Sequence, residues 1–378
     1  MSWAIWITGT YGGGGAAVAR AAAAAILRSR GELVCLLDVD TIQGCLSSAP
    51  ELSEDDRELI LGALGYVAVR LVDARVPVII EAKAARPRLL ELLHGGIPRF
   101  AEVRLQCPSA ACRPREHIVA VHPAGSDVRV SGRQQETPGP GEDITGESGR
   151  PPELLIDMMH TSIATAGEEV ASLAKSLAIG VPATRERRLG WAIWITGRPG
   201  SGKTTLARRV TESLSTRGVA VQVLDLASAR RAIVGRELAT EEQEAFVNRA
   251  LTLAAKMVTE SGGAVVLDAT APRRAWRERA RKWIAHFAEV QLVCPSETCE
   301  ERERAARWGL SGAGSIDVGG IAAEPDIVVD YEESWHPELR LHTHAPDLLT
   351  TVEEVLRLAT RLERAARLQR TEVERTEP

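Results

Sequence analysis

Short apolar runs alternate with longer amphipathic segments along the chain, most clearly in its second half. Residues 191–196 form an apolar, β-branched run that is typical of a buried strand, and residues 203–217 follow with helical character. The pattern continues with strands over 219–224, 264–267 and 290–293 and with helices over 240–260, 274–286 and 352–370. Regular alternation of strands and helices predicts an α/β fold built on a mostly parallel sheet that is flanked by helices.

The same pattern occurs twice, because the chain is a tandem repeat. The heptapeptide WAIWITG at residues 3–9 returns at 191–197, and the segment beginning FAEV and ending CPS at 100–109 returns at 287–296. Matches in the same order and at a nearly constant offset indicate a duplicated domain. We therefore predict two domains, residues 1–183 and 189–378, joined by a charged linker that contains Pro and Gly.

One stretch of the first half departs from the alternating pattern. Residues 122–152 are rich in Gly, Pro, Ser and charged residues and have almost no large apolar side chains. Such a composition cannot build a packed element, so we predict a long mobile loop there.

Composition narrows the classes of function. The chain has 46 basic and 51 acidic residues, a net charge of −5, which gives no global basic field for holding nucleic acid. No apolar run reaches the length of a membrane-spanning helix. The first residues lack the basic start of a signal peptide, and six cysteines are too few for a disulfide scaffold. We expect a cytoplasmic protein with no membrane or nucleic-acid partner.

The second half contains a phosphate-binding loop in its expected context, between a predicted strand and a predicted helix. Residues 197–204 read GRPGSGKT and fit the pattern G-x-x-x-x-G-K-[ST]. Backbone N–H groups and the helix N-terminus attract phosphate oxygens, the lysine reaches the β- and γ-phosphates, and the threonine hydroxyl binds Mg²⁺. We predict ATP and Mg²⁺ as ligands, held by Gly197, Gly200, Ser201, Gly202, Lys203, Thr204 and Thr205.

The first half has lost the charged part of this loop. Gly15 stands where Lys203 stands in the second half, and Ala16 stands where Thr204 stands. Neither side chain can compensate a phosphate charge or bind a metal ion. We therefore expect the first half to lack ATP-dependent activity.

With the phosphate loop, the strand-end aspartate Asp225 and the segment Pro337-Glu338-Leu339 in view, the sequence resembles the adenylyl-sulfate kinase family. That family transfers the γ-phosphate of ATP to the 3′-hydroxyl of adenylyl sulfate. The resemblance covers both halves and implies two tandem P-loop kinase domains. It implies that Asp225 binds the metal through water or acts as the base on the acceptor, that Arg230 contacts the acceptor, and that a lid carries Arg302, Arg304 and Arg307.

The two halves keep different parts of the family pattern. In the second half Leu226 and Ala227 replace the glycine and second aspartate of L-D-G-D, and Gln243 is assigned to the acceptor-side arginine position. The first half keeps Asp38, Asp40 and Arg57 instead, either in use or as inherited sequence. Asp268, at the predicted end of a strand, is a further candidate for catalysis or metal binding, with a helix cap or a surface aspartate as the alternative.

Three functional hypotheses remain open. The second half phosphorylates adenylyl sulfate, or it phosphorylates another small hydroxyl acceptor, or the chain is a nucleotide-binding regulator. In the third hypothesis the first half senses a sulfonucleotide through Asp38, Asp40 and Arg57. Because family members are typically homodimers, the resemblance also implies that the two halves pack as a pseudo-dimer within one chain.

Overall fold

The computed structural model describes residues 2–9, 14–47, 53–82, 87–107, 151–181, 189–235, 240–311, 330–343 and 348–376. The predicted loop over 122–152 falls outside these ranges except for its last two residues. None of the described helices is long and apolar enough to cross a membrane.

The first repeat contributes one parallel sheet and its helices. Its elements in chain order are β1 (Ala4–Gly9), α1 (Gly15–Arg30), β2 (Cys35–Asp38), α2 (Val39–Leu46), α3 (Glu54–Asp73), β3 (Val78–Glu81), α4 (Pro87–Gly96), β4 (Phe100–Gln106), β5 (Leu154–Asp157) and α5 (Ile163–Leu177). All strand pairs are parallel, and the strand order is β2-β3-β1-β4-β5.

The second repeat builds a sheet of the same kind. Its elements are β6 (Trp191–Gly197), α6 (Lys203–Thr216), β7 (Val221–Asp225), α7 (Leu226–Ile233), α8 (Glu241–Glu260), β8 (Ala264–Asp268), α9 (Arg274–Trp283), β9 (Phe287–Val293), α10 (Ser296–Ser311), β10 (Leu339–His342) and α11 (Leu348–Thr376). The strand order, β7-β8-β6-β9-β10, repeats that of the first sheet. Two α/β domains with parallel sheets confirm the predicted fold class.

Burial explains why the repeated WAIWITG segment forms the middle strand of each sheet. Every residue of β6 is buried, and Trp3, Ile5 and Ile7 are at most 1% exposed. A strand covered by helices on both faces needs such a continuous apolar run. The chain therefore leaves the centre of each sheet and enters the loop that precedes α1 or α6.

The structure adds helix α10 and two short elements that the sequence pattern did not predict. Helix α7 has eight residues and begins directly after β7, with Asp225 as its N-cap. Strand β10 has four residues and pairs with β9. Both are too short to show a clear period in the sequence. The helix over 274–286 ends earlier, at Trp283, and the closing helix is longer, extending over Leu348–Thr376.

The compact units do not follow the repeat boundary. One unit contains Trp3–Asp38 and Pro77–Thr184, whereas the other contains Met1–Ser2, Val39–Val76 and Arg185–Pro378. Helices α2 and α3 of the first repeat thus belong to the same unit as the second repeat. The domain boundaries at 183 and 189 remain a prediction that describes the duplicated sequence. The compact units of the structure have different boundaries.

Candidate functional site

The loop between β6 and α6 has the backbone shape of a phosphate cradle. Gly200 has a φ of +72°, and a Cβ atom built on it would come within 2.3 Å of the carbonyl oxygen of Cys299. Gly202, the N-cap of α6, is also left-handed, with a φ of +95°. Only glycine meets both demands at position 200, because a side chain would be strained and would collide with backbone. The close approach fixes the loop against the first turn of α10.

Polar groups of this loop point to an anion site. Lys203 Nζ donates to the carbonyl oxygens of Gly197 (3.2 Å) and Arg198 (3.0 Å), so the ammonium group lies over the loop. Ser201 is fully buried, and its hydroxyl has no hydrogen-bond partner among the described residues. Thr204 and Thr205 occupy the exposed first turn of α6. The helix N-terminus adds positive potential, which favours phosphate.

Two aspartates lie side by side at the carboxyl ends of β7 and β8. Asp225 and Asp268 are directly opposite each other in the parallel register of these strands. Burial raises the pKa of Asp268; its hydrogen bond with Thr204 and the charge of Lys203 oppose this effect, and the charge of Asp225 adds to it. The carboxyl ends of parallel strands are where ligands of open α/β sheets bind. The structure therefore brings Lys203, Thr204, Asp225 and Asp268 together.

Thr204 and the two aspartates suit a hard divalent cation, and Lys203 suits the phosphate groups beside it. Mg²⁺ prefers carboxylate and hydroxyl oxygens and keeps several waters, so one or two protein ligands suffice. Thr204 and the two aspartates offer such oxygens on one side of the loop, with Asp268 hydrogen-bonded to Thr204. The described residues contain no cluster of three His, Cys, Asp or Glu side chains of the kind that holds a metal ion without substrate.

The two aspartates differ in accessibility. Asp268 is 7% exposed, whereas Asp225 is half-buried and accepts a hydrogen bond from the backbone N–H of Ser228 through Oδ1 (2.7 Å). One oxygen of Asp225 is thus used to cap α7. Asp225 is therefore accessible to a bound ligand. Asp268 is buried beside Thr204, at the end of the phosphate loop.

Arg230, the predicted acceptor contact, lies in the interior. It is 4% exposed and its guanidinium pairs with the carboxylate of Glu244 at 2.6 and 2.7 Å. Glu244 is itself 3% exposed. A buried pair of this kind holds its charges together, so an acceptor would have to compete with Glu244 for Arg230.

The structure corrects the position assigned to Gln243. Ser53 caps α3 and Thr240 caps α8, and each side chain accepts from the backbone N–H three residues later, at Asp56 and Gln243. The residue that corresponds to Arg57 is therefore Glu244, one position after Gln243. An acidic residue thus replaces the acceptor-side arginine. The capping residues Ser53 and Thr240 are visible in the sequence, and aligning them would have paired Arg57 with Glu244.

The predicted lid residues lie on α10. Arg302 donates to the carbonyl oxygen of Thr343 (3.0 Å), and its guanidinium lies 3.7 Å from the sulfur of Cys294. Arg304 is exposed on the same helix. Arg307 belongs to α10, but its side chain lies outside the described residues. Their role as a lid stays a prediction.

A buried ionic network, which the sequence analysis missed, fixes the segment 331–338 beside β6. Arg277 and Glu289 are fully buried and form an ion pair at 2.8 Å. Tyr331 Oη lies 3.2 Å from the hydroxyl of Thr196, the residue just before Gly197. The guanidinium of Arg277 lies over the Tyr331 ring. Glu338 accepts from the backbone N–H of Glu289 (2.6 Å). This network supports the strand that carries the phosphate loop.

The corresponding place in the first repeat is occupied differently. Glu81, at the end of β3, stands at the repeat position of Asp268, and a Cβ atom built on Gly15 would come within 2.7 Å of Glu81 Oε1. A carboxylate therefore lies at the N-terminus of α1, where the second repeat has the lysine. Asp38 is half-buried, whereas Asp40 and Arg57 are exposed. Both repeats thus have a carboxylate beside the start of this helix, and the second has Lys203 where the first has Gly15.

Comparison with known proteins identifies the family. The model of the adenylylsulphate kinase family matches residues 1–121 and 189–342, which is more than half of the chain. A probable adenylyl-sulfate kinase of Archaeoglobus fulgidus is 33% identical over 160 residues, 42% of this chain and 99% of the relative. An adenylyl-sulfate kinase of Synechococcus sp. (strain JA-3-3Ab) is 37% identical over 170 residues, 45% of this chain and 93% of the relative.

Solved structures of the same kind are also similar. The Mycobacterium tuberculosis APS kinase in complex with AMPPNP and APS is 27% identical, with a TM-score of 0.38, and the match covers 46% of this chain and 98% of that one. The hexameric APS kinase of Thiobacillus denitrificans is 17% identical, with a TM-score of 0.34, over 96% of this chain and 66% of that one. On the evidence of the family model and the relatives, the chain belongs to the adenylyl-sulfate kinase family.

Proposed function

We propose that the second repeat transfers the γ-phosphoryl group of ATP to a hydroxyl group of a small acceptor, with adenylyl sulfate as the first candidate. The observation that carries the proposal is the convergence of Lys203, Thr204, Asp225 and Asp268 at one edge of the sheet. Membership of the adenylyl-sulfate kinase family supports both the reaction type and the candidate acceptor.

The chain's own groups divide the work. Backbone N–H groups of the loop and Lys203 bind the β- and γ-phosphates and withdraw charge from the group in transfer. Thr204 and the aspartates would hold Mg²⁺, Asp225 through a water molecule, and the ion would offset negative charge on the same phosphates. Asp225 orients the acceptor hydroxyl and takes its proton at Oδ2, because Oδ1 is engaged with Ser228. Family membership suggests Arg302 and Arg304 of α10 as the groups that neutralise the transferring phosphoryl group.

A second acceptor is favoured by one observation. Adenylyl sulfate is an anion, and in this chain Arg230 is already neutralised by Glu244, which stands at the repeat position of Arg57. A less charged hydroxyl acceptor would not need the guanidinium. Under this alternative, the second repeat is an ATP-dependent kinase that forms no product with adenylyl sulfate.

The test is a mass-spectrometric assay of the full chain with ATP, Mg²⁺ and adenylyl sulfate, followed by a panel of uncharged hydroxyl acceptors. The proposal expects a phosphorylated product whose mass is higher by one phosphoryl group. Lys203→Ala should reduce its rate by at least about 100-fold, as expected for loss of a charge that stabilises the transition state. Lys282→Ala, on the exposed face of α9, is the matched control and should keep the wild-type rate. Full activity of Lys203→Ala would disprove the proposal.

The pairing of the two repeats as a pseudo-dimer also remains a proposal. Its support is that residues 39–76 share a compact unit with 185–378. Light scattering of the full chain should then give the radius of a compact monomer or of a multimer of it. A radius typical of two independent beads on a linker would contradict the pairing.

A further inference from the structure

Two buried cysteines lie next to the phosphate loop, and the proposed reaction uses neither of them. Cys294 directly follows the last residue of β9, and Cys299 lies in the first turn of α10. Their side chains are 9% and 4% exposed, and neither cysteine is disulfide-bonded. The pair is therefore reduced and belongs to the connection that leads from the sheet to α10.

The backbone between the two cysteines turns back and brings their side chains together. The N–H of Cys299 donates to the carbonyl oxygen of Pro295 at 3.0 Å, so the turn begins directly after Cys294. The sulfur of Cys299 lies 4.0 Å from the carbonyl oxygen of Cys294. The thiol of Cys299 is also hydrogen-bonded to the side chain of Cys294. Two cysteines whose side chains meet in this way satisfy the first requirement for a disulfide.

The first repeat has the same spacing of cysteines in a different redox state. Cys107 stands at the repeat position of Cys294, directly after the matching strand β4, and it is disulfide-bonded. Cys112, at the repeat position of Cys299, lies outside the described residues. The position after the strand is thus oxidised in one copy of the fold and reduced in the other.

The surroundings of the two thiols assign them different parts in an oxidation. Burial raises the pKa of the Cys299 thiol to about 12, and Cys294 adds to this effect, whereas the charges of Arg302 and Lys203 oppose it. Cys299 therefore stays protonated at neutral pH and is a poor nucleophile. The guanidinium of Arg302 lies 3.7 Å from the sulfur of Cys294, and cysteines that react with oxidants typically lie beside such a charge.

Cys299 is also the residue at which α10 meets the phosphate loop. A Cβ atom built on Gly200 would come within 2.3 Å of the Cys299 carbonyl oxygen and within 3.0 Å of its Cα atom, so the two backbones are in close contact. A disulfide brings two sulfur atoms closer than non-bonded contact allows, which requires a shift of the first turn of α10. Such a shift changes the loop from which Lys203 follows.

We propose that Cys294 and Cys299 form a reversible disulfide that weakens nucleotide binding by the second repeat. The oxidant is a hydroperoxide. The sulfur of Cys294 attacks one peroxide oxygen, the O–O bond breaks, and one water leaves, which gives a sulfenic acid. The sulfur of Cys299 then attacks the sulfur of Cys294, the S–O bond breaks, and the oxygen leaves as a second water with the proton of the Cys299 thiol.

The electrons balance in this sequence, because the two sulfurs lose two electrons and the peroxide gains them. A dithiol reductant reverses the reaction by thiol–disulfide exchange. The effect on nucleotide binding rests on the proposed function, whereas formation of the disulfide does not.

The experiment treats the full chain with hydrogen peroxide and makes two measurements on the same sample. The first is the mass of the tryptic peptide 283–302, which contains both cysteines and should become lighter by two hydrogen atoms. The second is calorimetric titration with ADP and Mg²⁺. Oxidation should weaken the affinity at least about fivefold, the size of one lost hydrogen bond, and dithiothreitol should restore it.

Two variants of the full chain show whether the pair is responsible. Cys294→Ala cannot form the disulfide, so it should bind ADP equally well before and after peroxide. Cys45→Ala is the matched control, because Cys45 is half-buried on α2 and is not part of the pair. It should lose affinity on oxidation to the same extent as the wild type.

The outcomes separate this inference from the proposed function. A peptide that keeps both hydrogen atoms, or gains oxygen atoms instead, would overturn the inference. So would a disulfide that leaves the ADP affinity unchanged, or an equal loss of affinity in Cys294→Ala; in each case nucleotide binding by the reduced chain leaves the proposed function standing. If the reduced wild type binds no ADP, the proposed function fails, the effect on nucleotide falls with it, and the peptide mass alone decides whether the disulfide forms.

Discussion

The carboxylate of Glu81 lies against Gly15 at the N-terminus of α1, whereas the lysine at the same repeat position, Lys203, lies over the phosphate loop of the second repeat. Both helices begin after a left-handed glycine, Gly14 with a φ of +79° and Gly202 with +95°. A left-handed glycine before the helix is therefore kept in both repeats, whereas the lysine is replaced by glycine in the first. A carboxylate at a helix N-terminus is favourable in itself, and it repels phosphate from the same place.

Restoring the lysine should not restore the site. In Gly15→Lys the new side chain meets Glu81, and Ala16 still offers no metal ligand. Calorimetric titration with ADP should find the same number of nucleotides per chain as in the wild type. Gly95→Lys is the control, since Gly95 is exposed on α4 with nothing within 4 Å of its Cβ position, and helix propensity should stabilise it by up to about 1 kcal/mol. A second nucleotide in Gly15→Lys would show that Glu81 does not block the loop.

Gly200→Ala should abolish nucleotide binding. The methyl group would come within 2.3 Å of the Cys299 carbonyl oxygen, and backbone cannot move aside as a flexible side chain can. Gly218→Ala separates this collision from the cost of the left-handed backbone, because Gly218 has a φ of +77° and open space around its Cβ position. We expect Gly218→Ala to cost about 1 kcal/mol and to bind ADP normally. Titration of both variants with ADP checks the prediction, which fails if Gly200→Ala binds as tightly as Gly218→Ala.

Breaking the Arg230–Glu244 pair should destabilise the chain and remove this counter-charge from Arg230. Glu244→Gln leaves the guanidinium buried without its counter-charge, which typically costs about 3–5 kcal/mol. Adenylyl sulfate, if it reaches Arg230, should then raise the unfolding temperature of Glu244→Gln more than that of the wild type. The double variant Arg230→Met/Glu244→Leu should lose less stability than the single one, since no charge stays buried. Equal shifts with adenylyl sulfate in all three proteins would place the acceptor away from Arg230.

The segment 331–338 should contribute to stability mainly above acidic pH. Burial raises the pKa of Glu338, but Arg281 and the Glu289 backbone N–H outweigh that effect, so its pKa is lower than usual. A carboxylate with a depressed pKa stabilises the fold above its unfolded pKa, about 4.3, and loses this contribution as the pH falls through its folded pKa. Glu338→Gln should cost about 1.5–3 kcal/mol at pH 7, as for a hydrogen bond to a charged group, and little near pH 3.

Urea unfolding at several pH values measures this difference. Glu353→Gln removes an exposed ion pair with Arg357 on α11 and should cost less than about 0.5 kcal/mol at any pH. A cost for Glu338→Gln that is as small, or that grows toward acid, would contradict the assignment.

Much of the fold follows from the sequence because local signals agree with packing. The WAIWITG runs predict the central strands, since their continuous apolar character fits a strand that is buried on both faces. The loop residues Gly197 to Thr204 predict the start of α6, and the anion site that they also predict remains a proposal.

The parts that the sequence did not yield depend on contacts between distant segments. Glu244 becomes a partner of Arg230 only when α7 and α8 are packed, and its register was visible only through the capping residues Ser53 and Thr240. The membership of α3 in the compact unit of the second repeat is likewise a property of tertiary packing, and a repeat boundary in the sequence does not reveal it.

We propose that the chain has two copies of one fold and that the second copy is the one that binds nucleotide. The most direct measurement is isothermal titration calorimetry of the full chain with ADP in the presence of Mg²⁺, for the wild type and for Lys203→Ala. We expect one nucleotide per chain in the wild type and a loss of at least about tenfold in affinity for Lys203→Ala, the effect of removing one strong charge-assisted contact. Two nucleotides per wild-type chain, or unchanged binding by Lys203→Ala, would contradict it.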